Sequence, residues 1–203
     1  MHTAADVFVL DHWREKKKQE RPRSGWTGTS PEFGAITVEY PVERVHGETV
    51  TAEVRGGLIP TASFASRGMH TAVVEMPTLN GATCRVGDAL VTLSRNRLGV
   101  TRGARALHLR LAGDRYRLTA DGGRSYVLTR EPDDEDPGVT IRAGESGRGR
   151  GRRLTVHVTG RAVAADISLA VLFAGVDRST LTRGGAVRAG VSRAVNLTME
   201  AKS

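Results

Sequence analysis

"VAADISLAVLFAGVD", residues 163–177, is the stretch on which the fold turns. Its apolar side chains run almost all the way round a helical wheel, it carries several alanines and leucines, and it closes near Gly175. That pattern predicts a helix buried on most sides. A buried strand is the alternative, because a short apolar run has no periodicity that separates the two. The run falls well below the roughly 20 residues that cross a bilayer and it carries Asp166, so it reads as an interior element.

Upstream of it the chain changes to period two. "AITVEY", "ETVTAEV", "HTAVVEM", "DALVTLS", "ALHLRL", "DRYRLTA", "RSYVLT", "GVTIRA" and "RRLTVHVT" are short, β-branched or alternating, and bounded by Gly, Pro, Asn or Asp. This predicts a mainly β domain, an antiparallel barrel or sandwich of about 9–12 short strands, with one apolar helix near residues 163–177. "LAGDRYRL" and "LTADGGRSYVL" read as hairpins, since Gly-Asp and Asp-Gly-Gly supply the positive φ such turns need.

The termini read differently. Residues 1–30 are expected to form an N-terminal arm and linker: "ADVFVLDHWREKKKQERPR" as a short helix with Val7, Leu10 and Trp13 near one face, then "RSGWTGTSPEFG" as linker. Residues 31–203 are expected to form a single β-rich domain. The final "GGAVRAGVSRAVNLTMEAKS" is expected to add one last strand or hairpin.

Composition narrows the function classes. Cys84 is the only cysteine, which rules out an intramolecular disulfide and a Cys-rich zinc site and favours a reducing, cytoplasmic setting. No G-x-S-x-G elbow, phosphate-binding G-x-x-x-x-G-K-[ST] loop or H-E-x-x-H pair occurs, and the six histidines are dispersed. No catalytic residue, cofactor or metal site is expected. The carboxylates of "EPDDEDP" (131–137) lack the glycine and distal glutamate of an EF-hand loop. An enzyme with its site in a barrel mouth stays open as a reading that needs converging polar groups in a pocket.

A strand ladder followed by one very apolar helix resembles the Tubby C-terminal superfamily, in particular its LURP-one-related and phospholipid-scramblase-like branch. The likeness is carried by "AADISLAVLFAGVD" (164–177) and the ladder from "DALVTLS" through "DRYRLTA", "RSYVLT" and "RRLTVHVT". It implies a barrel of about a dozen strands wrapping a central hydrophobic helix, and a module that is not generally enzymatic. In Tubby proper, basic residues on the barrel surface bind phosphoinositides. That lysine-and-arginine pocket has no identifiable equivalent here, and some twenty-five residues follow Asp177 where the branch tends to end near its helix.

The formal charge of +8 favours an anionic partner: a phospholipid surface, an acidic protein or nucleic acid. Of thirty basic residues only Lys16, Lys17, Lys18 and Lys202 are lysine, an arginine excess that coding bias produces as readily as selection for binding. Alternation sets Leu107, Leu109 and Leu111 against His108 and Arg110; Tyr116 and Leu118 against Arg115, Arg117 and Thr119; and Leu154, Val156 and Val158 against Arg153, Thr155 and His157. Arg110, Arg115, Arg117, Arg130 and Arg153 are therefore expected on a basic outer surface able to hold phosphate groups. Arg148, Arg150, Arg152 and Arg153 of "GESGRGRGRR" (144–153) join them from a hairpin loop. That loop carries no aromatic residue, and aromatics are only 4% of the chain, which weakens the nucleic-acid reading. The acidic and arginine-rich loops should project from opposite ends of "GVTIRA". Such polarity also suits an assembly protein that contacts copies or partners through its arm and charged barrel ends.

Overall fold

The computed structural model describes residues 6–15, 22–42, 49–67, 76–79, 81–96, 101 and 103–182, the side chains of Arg67 and Arg150 excepted. Twelve antiparallel strands follow one another round a closed barrel: β1 (Asp6–Glu15), β2 (Arg23–Ser30), β3 (Gly34–Pro41), β4 (Thr49–Gly56), β5 (Ala62–Arg67), β6 (Ala82–Val86), β7 (Ala89–Arg95), β8 (Leu107–Leu111), β9 (Asp114–Ala120), β10 (Ser125–Arg130), β11 (Val139–Ser146) and β12 (Arg153–Gly160). Each pairs with its sequence neighbours, and β1 closes the ring against β12 with Phe8 opposite Val156 and Leu10 opposite Leu154. Closure leaves no edge of this sheet, among the described residues, open to pairing by another chain.

The expected helix forms inside this wall. α1 (Ala164–Leu172) continues as a 3-10 turn over Phe173–Gly175, and Ile167 and Leu169 to Ala174 are fully buried. Around it close the inward side chains of the strands, among them Trp26, Phe64, Tyr116 and Tyr126. Phe173 meets Phe64 edge to face at 5.9 Å. Cys84, on β6, is buried in the same core, which pushes its thiol up to about 12.

α1 is held by charge at both ends. At its N-terminus the Asp166 carboxylate accepts from the Val163 N–H at 2.9 Å and from the Tyr116 hydroxyl at 2.8 Å. A carboxylate at the third helical position caps an otherwise orphaned donor and opposes the helix dipole. Beyond its C-terminus Arg178 donates to the Phe173 and Val176 carbonyl oxygens, and the Tyr126 hydroxyl donates to the Ala170 carbonyl at 2.8 Å. These bonds satisfy carbonyls that a helix end leaves without intrahelical partners.

Three expectations are corrected. The segment expected to be a helix is strand β1, whose two faces are both apolar: Phe8 and Leu10 point inward, while Val7 and Val9 point out at 45% and 40% exposure. The segment expected to be linker is β2, where glycine is a packing requirement, because a Cβ on Gly25 would stand 1.8 Å from the Val38 carbonyl oxygen. The turn after β8 is Ala112–Gly113, with Ala112 at φ 51, and Asp114 already pairs in β9. The strand expected at "HTAVVEM" lies outside the described residues except for Met76, and the last strand expected after residue 183 lies outside them altogether.

Candidate outer-wall anion surface

Strand register decides which basic side chains meet. His108 stands opposite Arg117 and Arg110 opposite Arg115 across β8 and β9. Arg117 faces Thr129 on β10, which faces Thr140 on β11. Two residues further along, Val127, Arg142 and His157 form the next outward row across β10, β11 and β12. Arg110, Arg117 and Arg142 are exposed and make no ion pair among the described residues. With strands spaced about 4.8 Å apart, Arg117 and Arg142 rise from strands roughly 10 Å apart on the same wall.

Arg115 and Arg153, outward on the same group of strands, are engaged. Arg115 Nε lies 3.1 Å from Glu131 Oε2, and Arg153 Nε lies 3.2 Å from Asp11 Oδ1. Both pairs are well exposed, and pairs of this kind contribute about 0–1 kcal/mol, so an incoming anion displaces them at little cost. Arg142 was missing from the residues picked out by sequence. Its signal was the alternation of "VTIRA", in which inward Val139 and Ile141 require Arg142 to face out.

Arg130 does not belong to the outer surface. Tyr126, Leu128 and Arg130 share the inward face of β10, and Arg130 is 4% exposed. Its Nε contacts both Asp166 oxygens, at 3.1 and 3.3 Å; its Nη2 reaches Asp136 Oδ2 at 3.2 Å and the Arg161 carbonyl oxygen at 3.0 Å. A buried guanidinium so saturated with acceptors is a structural clamp on α1. Burial first, and the neighbouring Asp166 carboxylate second, push the Tyr116 hydroxyl far above its ordinary value.

The arginine-rich loop is more closed than an arm. It contains one 3-10 turn, Gly149–Gly151, and Gly147 sits at φ 76 where a Cβ would be 2.1 Å from the Gly151 carbonyl oxygen. Arg148 is exposed; the side chain of Arg150 lies outside the described residues. Arg152 turns inward, with Nη2 2.7 Å from Glu145 Oε2 and its guanidinium 4.9 Å above the Trp26 ring. Glu145 also takes Arg178 Nη2 at 3.4 Å, and Arg178 lies 4.3 Å over Tyr126. Arg152 is therefore a second clamp at the mouth of the barrel and not part of an exposed cluster.

Because successive strands alternate in direction, the connections 31–33, 57–61, 87–88, 112–113, 131–138 and 161–163 share one end of the barrel. That end carries Glu32, Asp88 and the five carboxylates of residues 131–136, while Arg124, Arg148 and Arg152 stand at the other. The acidic loop is tied to itself: Asp133 Oδ1 accepts from the Glu135 and Asp136 N–H groups, and Asp136 Oδ1 from Gly138. Among the described residues no cluster of His, Cys, Asp and Glu is arranged to hold a metal ion, and no helix is long and apolar enough to cross a membrane.

No protein-family model matches the chain, and no curated protein matches it in sequence. Among solved structures, the di-domain ARO/CYC StfQ from the steffimycin biosynthetic pathway aligns over 92% of this chain and 96% of that one, at 8% identity and a TM-score of 0.22. A superposition that slight carries no argument about fold or function.

Proposed function

We propose that this chain is a non-catalytic β-barrel module that binds an anionic ligand or surface, with membrane phospholipid as the preferred class. The observation that carries the reading is the group of three outward arginines, Arg110, Arg117 and Arg142, on one stretch of barrel wall, each without an ion pair among the described residues. An exposed guanidinium offers forked donors to a phosphate, and none of these three spends its donors on a carboxylate among the described residues. The closed wall around an apolar helix supports the same reading, since it is the architecture that the Tubby-like resemblance implies.

Flotation with vesicles at physiological salt tests it. Retention is expected on anionic and not on neutral vesicles, with added RNA failing to displace the protein. Changing Arg110, Arg117 and Arg142 together to Ser is expected to abolish retention, and Arg115→Ser with Arg153→Ser is expected to weaken it in part, because their exposed ion pairs yield to an anion at little cost. Unchanged retention of the triple variant would overturn the reading. The alternative, an assembly protein, is favoured by the opposite charge of the two barrel ends and requires self-association in sedimentation that declines as salt rises.

A further inference from the structure

Gly144 is a glycine the fold does not ask for. It lies in mid-strand on β11 between Ser125 of β10 and Thr155 of β12, its φ is not positive, and a Cβ built on it would meet nothing within 4 Å. Gly25, Gly28, Gly56, Gly138, Gly147 and Gly160 differ, since a Cβ on each would strike backbone within 3 Å. Glycine inside a strand weakens it by roughly 0.5–1 kcal/mol relative to alanine, and such positions recur where another group approaches the backbone closely. Gly144 lines a hollow of about 210 Å3 on the outer wall.

The chemistry around the hollow is specific. Arg142 and His157, opposite one another in register, stand along one side; Thr155 stands on the neighbouring strand, and Asp121 and Ser125 form the rim at the basic end of the barrel. Arg142 offers a forked pair of donors and makes no ion pair among the described residues; Thr155 adds a hydroxyl and His157 a ring N–H. The Ser125 hydroxyl already donates to the Asp121 carbonyl oxygen. With Arg142 the one arginine in its lining and Asp121 on its rim, the hollow suits one phosphate better than a chain of them. On β1, Val7 faces His157 and Val9 faces Thr155, and both are exposed. An apolar strip beside a donor-lined hollow fits a phosphate attached to an apolar body.

We infer that the hollow over Gly144 is a headgroup site for a single phosphate monoester borne on a lipid, held by Arg142, His157 and Thr155 with the acyl region against Val7 and Val9. The inference deepens the anion-binding reading and rests on it. Filling the hollow without touching any charge separates the two. Gly144→Val is expected to fold as the parent does, because a Cβ there meets nothing within 4 Å and a β-branched residue suits a strand.

The experiment compares vesicles containing phosphatidic acid with vesicles containing phosphatidylserine at matched surface charge, and glycerol 3-phosphate as the soluble probe. The parent is expected to prefer phosphatidic acid at least about tenfold, the worth of one charge-assisted hydrogen bond. Gly144→Val is expected to lose that preference while keeping charge-driven retention; Gly144→Ala is expected to lose only part of it. Saturable binding of glycerol 3-phosphate as tight as that of the vesicles would overturn the lipid assignment in favour of a soluble phosphate. A parent that binds both vesicles equally, or a Gly144→Val variant that keeps the preference, would overturn the site and leave a diffuse arginine surface. Failure of the parent to bind any anionic vesicle would overturn the underlying reading as well.

Discussion

His12 sits where β1 reaches the basic mouth of the barrel, and its environment is hostile to a proton. Burial, and the Arg152 guanidinium with its Nη1 3.3 Å from His12 Nε2, hold it below its ordinary 6.5, against a smaller opposing effect of Glu145. Arginine has only donors, so the nitrogen that faces it must act as acceptor; Ser24 Oγ lies 2.8 Å from the same atom, and the ring packs at 5.0 Å on the edge of Trp26. In the unfolded chain His12 takes up its proton near 6.5, whereas the native chain resists until lower pH. The unfolded state therefore binds more protons in that window, and stability is expected to fall as pH drops from about 6.5 toward the lowered native value. Urea unfolding of parent and His12→Gln at pH 7.5 and pH 5.5 measures this. The parent is expected to lose more stability than the variant over that range, and equal losses would show that His12 is protonated in the native mouth as readily as outside it.

At the level of the element, α1 behaves as a bolt with a charged head at each end: Asp166 into Arg130 of β10, and Arg178 into Glu145 of β11. Asp166→Ala leaves Arg130 buried with only the more exposed Asp136 for a carboxylate, and breaking such a pair costs about 3–5 kcal/mol. Asp166→Ala combined with Arg130→Met is expected to recover a large part of that loss, because the stranded charge is gone; denaturant midpoints of the four-member cycle measure the coupling. A single-variant loss below about 1 kcal/mol would mean the helix is held by apolar packing alone. The bolt itself was legible in the sequence, as were β8 to β12, because there the alternation is regular and one face is apolar. β1 and β2 were not, since an outward Val7 and Val9 blur the alternation and the glycines and hydroxyls of "RSGWTGTS" mimic a linker. β5 and β6 were hidden by small residues and brevity, as "ASFASR" and "ATCRV" show. Of the arginines, the outward set followed from period two. The same period would have turned Arg130 inward with Tyr126 and Leu128, whereas no local pattern announces that Arg152 folds back on Trp26, a contact made across the barrel mouth.

At the scale of the whole barrel, charge among the described residues is unevenly placed between the two ends, and on the proposed reading that governs how the barrel would meet an anionic surface. The acidic loop begins beside the proposed binding wall, because Glu131 pairs with Arg115, which itself stands opposite Arg110. Asp134 and Glu135 are exposed, and their side chains neither cap the loop nor pair with an arginine among the described residues, so neutralising them leaves the turn held by Asp133 and Asp136. Their repulsion of an anionic membrane is screened over about 8 Å at physiological salt and reaches further when salt is low. Asp134→Asn with Glu135→Gln is therefore expected to raise retention on anionic vesicles at low ionic strength. It should move the salt concentration for half release upward, and should make no difference once salt has collapsed the screening length to about 3 Å near 1 M. Thermal stability is expected to stay within about 0.5 kcal/mol of the parent, as for most surface substitutions. A release curve that does not move at low salt would mean that the acidic end lies well away from the bound surface.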